Sequence, residues 1–119
     1  MKRNKSSEEW TLFIKDILSA IDKIERYTAN LTLAQFRKNE VLIDAVIRNL
    51  EIIGEASSHI PSFIRNAHPE IPWRQIISLR NFLIHEYFYV ELSIVWQTIQ
   101  IHLPELKQQL MKLYHEHPK

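Results

Sequence analysis

The chain has 119 residues, 45% of them apolar and 24% charged, the balance of a folded protein able to bury a real core rather than a disordered one. It has no cysteine and a single glycine, which excludes disulfides, thiolate metal sites, thiol catalysis and a Gly-rich phosphate loop. A formal charge of +1 excludes a blanket polyanion binder, so any nucleic-acid contact has to be local. The basic stretch from Met1 to Lys5 leads into an amphipathic segment and not an apolar signal core. No apolar run approaches the ~18 residues of a membrane span. A cytoplasmic location and no membrane partner are the expectation.

Ser6, Ser7, Glu8 and Glu9 read as a helix start, with a hydroxyl cap and acids in the first turn. Trp10, Phe13, Ile14, Ile17, Leu18, Ile21 and Ile24 then recur at three- and four-residue steps, one apolar stripe of a helix that frays near Tyr27 to Asn30. Thr32 or a neighbour is a candidate cap for a second helix, with its body from about Phe36 to about His59. Its apolar residues cover more than one face, which predicts a central position in a bundle or one shared with a partner. The remaining face carries Asp44, Arg48, Glu51 and Glu55. That row is either a solvated ion-pair stripe or a set of acids that receives and orients Arg80 from the next helix. Gly54, inside the same helix, costs roughly 1 kcal/mol against alanine and points to close helix–helix approach.

Pro61 is expected to begin an irregular segment with Phe63 and Ile64 tucked inward, and the run from His68 to Pro72 to form a loop. Pro72 suits the first turn of a third helix, which carries Trp73, Ile76, Ile77, Leu79, Phe82, Leu83 and Ile84 and ends around Tyr87 to Tyr89. A fourth helix begins near Glu91, with a stripe from Leu92 to Leu113 that Pro104 should kink or restart. The tail from His115 to Lys119 is expected to fray. No repeat or second domain is visible. The expected fold is an all-α antiparallel bundle of four to five helices in a single domain.

The chemistry concentrates between Arg80 and Tyr87. At 100° per residue, Arg80 and Tyr87 lie nearly on one line, and Asn81 and His85 on a neighbouring one. Arg80 and His85, five apart, stand about 140° apart around the helix and would flank a groove rather than stack. A fixed cation near a group that titrates close to neutrality suits the handling of a phosphodiester. An isolated histidine at a helix end is nevertheless often structural. Against that, an unpaired charge among core-forming residues would be costly, so these polar groups should face a cleft, a partner or an ion-pair network. His59, His68, His102, His115 and His117 show no regular pairing within a helix, and metal binding by the His115–His117 tail would be incidental. Trp10, Trp73 and Trp96 are most simply core aromatics. No serine is placed for a triad, and no nucleotide-binding motif is present.

Arg80-Asn81, three apolar residues, His85, one residue and Tyr87 resemble the signature of HepT-like ribonuclease toxins of the HEPN superfamily. The stretch from Arg48 to Ala56 is similar to that family's second-helix motif, Pro72 to Ile76 to the lead-in to the signature, and Val95-Trp96 to a motif after it. Together these cover most of the chain between about Asn39 and about Leu106.

The resemblance implies a HEPN-like bundle that forms a homodimer with a composite cleft. It also implies endoribonuclease cleavage of RNA, not DNA, without metal or other cofactor, by attack of the ribose 2′-OH on the adjacent phosphate. Arg80, Asn81 and His85 would be the catalytic residues, with Arg48, Glu51 and Glu55 supporting them. The implied partner is a minimal nucleotidyltransferase (MntA-like) antitoxin that adenylylates Tyr87. Two other readings stay open at this stage. One is a non-catalytic helical module that binds a nucleotidyltransferase partner. The other is a dimerisation domain in which Arg80 only closes an ion pair.

Overall fold

The computed structural model describes residues 9–86 and 91–117; the side chains of Phe82, Ile84, His85 and Glu86 fall outside that description. All regular structure among the described residues is helical: α1 (Trp10–Thr28), α2 (Leu33–Arg37), α3 (Glu40–Ser58), α4 (Ser62–Ala67), α5 (Trp73–Glu86), α6 (Leu92–Gln97), a π-helical turn (Thr98–His102) and α7 (Leu103–Glu116). Four long helical runs form the bundle, with α2 and α4 as short connectors. The expected all-α class is what the structure contains. None of these helices is long and apolar enough to cross a membrane.

The stripe of α1 is the deepest part of the core. Ile14, Ile17, Ile21 and Ile24 are fully buried, each contributing on the order of 1.5–3 kcal/mol over an exposed position. The helix begins at Trp10, directly after Glu9, while Ser6 and Ser7 lie outside the described residues. It stops where Asn30 takes φ 63°, a left-handed conformation that asparagine tolerates better than most residues.

The single second helix expected from Phe36 to His59 is in fact two. Thr32 starts α2 with a capping box: its hydroxyl accepts from the Gln35 N–H at 3.2 Å, and its own N–H donates to Gln35 Oε1 at 2.9 Å. Asn39 then takes an extended conformation, and its side chain accepts the Leu42 N–H at 3.0 Å. An asparagine that satisfies the first amides of the next helix competes with continuation of the previous one, so the helix breaks here. We expect Asn39→Ala to lower stability by about 1 kcal/mol, read as a lower urea midpoint.

α3 packs against both α1 and α5, the central position anticipated from its several apolar faces. After Pro61 the chain forms α4 instead of an irregular segment. Ile64 is buried as expected, but Phe63 is 56% exposed, because a six-residue helix can turn only one side inward. The helix end expected between Tyr87 and Tyr89 lies outside the described residues; α5 is described to Glu86.

Glu91 caps α6 through its carboxylate, which accepts the Ser93 N–H at 3.3 Å and the Ser93 hydroxyl at 3.1 Å. Those hydrogen bonds, and then the nearby Arg37 at 3.6 Å, hold the carboxyl below its ordinary value of 4.5. A depressed carboxyl stabilises the fold above its unfolded pKa, and that contribution disappears as pH falls through the folded one. The stability difference between wild type and Glu91→Gln should therefore be present at neutral pH, begin to fall near pH 4.5, and be gone once the pH lies below the depressed folded value.

Pro104 is accommodated by the π-helical turn just before it and a restart of α-helix at Leu103. Proline has no N–H and its ring crowds the carbonyl four residues back, so a wider turn there relieves both problems. Leu103, Leu106, Leu110 and Leu113 then carry α7 along the core. Lys107 ties it to α1 through Glu25 at 2.9 Å. The tail is ordered further than expected: α7 runs through Glu116, and the His117 ring meets the Trp10 ring edge-on at 5.2 Å.

Candidate active site between three helices

Gly54 decides how closely α3 and α5 approach. A Cβ at this position would lie 2.8 Å from Arg80 Cβ, 3.0 Å from the Ile76 carbonyl oxygen and 3.1 Å from the Arg80 nitrogen. Only a residue without a side chain allows that contact. Because the backbones meet there, Arg80 crosses α3 directly over Gly54, and its Nε lies 2.7 Å from Glu55 Oε1. Of the two acids proposed to receive Arg80, Glu55 does so. Glu51 instead faces Arg48 at 3.9 Å, a loose pair in which Arg48 is largely exposed.

The second oxygen of Glu55 lies 3.0 Å from Nε2 of His59, the residue that caps the end of α3. The His59 ring stacks on Phe13 of α1, centroids 4.9 Å apart and planes 20° from parallel. Its Nδ1 is buried without a hydrogen-bond partner among the described residues. One carboxylate thus links a guanidinium to an imidazole across two helices. Sequence reading passed over His59 because it sought pairs of histidines. The available signal was the i, i+4 spacing of Glu55 and His59 on one helix.

These groups line a cleft of about 450 Å³ between α1, α3 and α5. Arg80, Arg48 and Lys23 bring positive charge to its walls, and Glu55, Glu51 and Asp16 negative charge. The balance is close to neutral, so the cleft offers placed hydrogen-bonding groups rather than a broad positive field.

The structure therefore brings Arg80, Arg48, Glu51 and Glu55 together. It does not bring Asn81 with them: that residue is exposed on α5, on the side carrying Arg74 and Ser78, also exposed. His85 lies within α5, as expected, and Tyr87 lies outside the described residues. Among the described residues, three metal-ligating side chains come together only away from this cleft, at His68, Glu116 and His117.

A helical bundle that sets a guanidinium, a carboxylate and an imidazole at one cleft is an all-α protein with a candidate active site. Its relatives are more specific. Residues 17–113 match the family described as Ribonuclease HepT-like. A protein of Thermococcus cleftensis named "Probable ribonuclease HepT" is 43% identical over 101 residues, covering 85% of this chain and 92% of that one. One of Methanocaldococcus jannaschii, named as a "Putative RNase", is 41% identical over 85% of this chain and 87% of its own. Another so named, from Caldanaerobacter subterraneus, is 37% identical over 85% and 90%. No solved structure matches the chain. The chain belongs to the HepT-like ribonuclease family.

Proposed function

We propose that the protein is a metal-independent endoribonuclease, the toxin of a toxin–antitoxin pair, acting on RNA at a cleft completed by a second copy of the chain. The observation that carries this reading is the family match over residues 17–113, which spans Arg80, Asn81, His85 and Tyr87 in signature order.

In this reaction a base takes the proton of the ribose 2′-OH and the 2′-oxygen attacks phosphorus. The 5′-oxygen leaves with a proton from an acid, giving a 2′,3′-cyclic phosphate. His85 serves as base or acid, since imidazole titrates near neutrality. Arg80 holds the non-bridging oxygens and stabilises the charge that builds on them. Asn81 orients the imidazole or the phosphate. Each chain offers one signature imidazole while the reaction uses a base and an acid, so two copies of His85 across a two-fold axis complete the site.

The exposed row of Arg74, Ser78 and Asn81 supports a second copy on this side of α5, since it leaves polar groups of the signature helix open to a neighbour. Regulation follows from Tyr87. Its hydroxyl attacks the α-phosphate of ATP on a nucleotidyltransferase antitoxin, pyrophosphate leaves, and the tyrosyl-AMP adds bulk and a negative charge that repels an incoming RNA backbone.

The exposure of the Arg80–Glu55 pair argues against a purely structural role. Both side chains are nearly half exposed, at 42% and 49%, and pairs of that kind contribute about 0–1 kcal/mol. Arg80→Ala should therefore lower the unfolding free energy from urea titration by no more than about 1 kcal/mol while removing most RNA cleavage. A loss of several kcal/mol with wild-type cleavage undetectable would restore the structural reading.

A further inference from the structure

A second group of ligating side chains lies outside the cleft, where the loop after α4 meets the end of α7 and the start of α1. The Nε2 atoms of His68 and His117 are 3.5 Å apart, and a carboxylate oxygen of Glu116 lies within 4.8 Å of a ring nitrogen of each. None of the three lines the Arg80 cleft. We propose that His68, Glu116 and His117 bind a divalent transition-metal ion, with Zn²⁺ as the best fit.

The spacing is that of a tetrahedral site. Two nitrogens bound at about 2.0–2.1 Å with a tetrahedral angle stand about 3.3–3.4 Å apart, slightly less than the present gap of 3.5 Å. Without an ion the two rings share only a contact at the outer limit of an N–H···N hydrogen bond. A cation between them replaces that weak contact with two strong ones.

The surroundings prepare the ligands. Glu70 Oε2 lies 3.5 Å from His68 Nδ1, so its carboxylate favours the tautomer with hydrogen on Nδ1 and the Nε2 lone pair free. The loop is pinned from two sides: Trp73 Nε1 donates to the His68 carbonyl at 3.1 Å, and Gln109 Nε2 to that of Glu70 at 3.1 Å. The His117 ring is held edge-on to Trp10. Glu116 is exposed and can turn its carboxylate toward the rings, and water takes the fourth position.

Two imidazoles and a carboxylate select Zn²⁺ or its neighbours over Mg²⁺ or Ca²⁺, which take oxygen ligands. The ion would fasten the end of α7 to the loop that leads into α5. Nothing in this assignment depends on the ribonuclease reading, since it concerns different residues.

The test is calorimetric titration of the EDTA-stripped full-length chain with ZnCl₂, alongside thermal unfolding and the same titration with MgCl₂. One Zn²⁺ per chain should bind, Tm should rise with Zn²⁺ concentration, and Mg²⁺ should give neither effect. His68→Gln and His117→Gln, checked by circular dichroism for an intact fold, should each lose the one-to-one step. Glu70→Gln should weaken it by about 10–100-fold. Absence of binding at 100-fold excess of Zn²⁺ over protein would overturn the proposal. So would binding undiminished in both histidine variants, which would make it an adventitious ion only, held by His102 or His115.

Discussion

His85→Ala is expected to lower RNA cleavage by about 10²–10⁴-fold, the usual contribution of a placed general acid or base. The assay uses the purified, unmodified chain in excess EDTA, with circular dichroism to establish that the mutant keeps its helices. Wild-type cleavage under these conditions removes divalent metal from the chemistry, and its loss in the mutant assigns the step to this imidazole. Equal cleavage by both proteins would mean that the activity belongs to a contaminant and that His85 is structural. Two silent proteins would remove catalysis from the reading and turn attention to an AMP on Tyr87, visible as added intact mass.

The second large effect is expected at Gly54, where two contributions oppose each other. Alanine in place of a mid-helix glycine favours the helix by about 1 kcal/mol. The added methyl group, however, meets Arg80 Cβ at 2.8 Å and the Ile76 carbonyl at 3.0 Å, and these sit on the α5 backbone with no flexible end to move aside. Overpacking of this kind costs about 1–3 kcal/mol, so crowding outweighs propensity and Gly54→Ala destabilises the protein by up to about 2 kcal/mol. The functional effect should be larger than the loss of stability suggests. Moving α5 off α3 lengthens the 2.7 Å contact between Arg80 and Glu55 and misplaces the guanidinium, and errors near 1 Å at a reacting centre reduce rates by as much as 100-fold. A Gly54→Ala protein as stable and as active as wild type would show that the helices can separate without consequence.

Glu55→Gln probes the same contact more gently. The amide keeps an oxygen for Arg80 but loses the charge, so unfolding should change by less than about 1 kcal/mol while cleavage falls by a larger factor. The comparison separates a positioning carboxylate from one that only pairs.

Much of this protein was legible before any coordinates. The stripe from Trp10 to Ile24 identifies α1 because a 3.6-residue period leaves one continuous apolar face, and the core uses it. Gly54 pointed to close approach because a helix interior carries a glycine at a cost unless something needs the space. The break at Asn39 was missed. A cap and an interior polar residue look alike in sequence until the side chain is seen to accept the Leu42 amide.

The sequence by itself determined the all-α class, the family and the order of the signature residues, since periodicity and motif spacing are local properties of the chain. The tertiary structure decided which of the polar groups meet. It paired Arg80 with Glu55 rather than Glu51, brought the Phe13 ring onto His59, and set His68 against His117. Those partners are separated by up to 49 positions, and contact at that separation depends on how helices cross. Gly54 announces a close approach, but which atoms meet there, Arg80 Cβ and the Ile76 carbonyl, is set by the packing of α5 on α3.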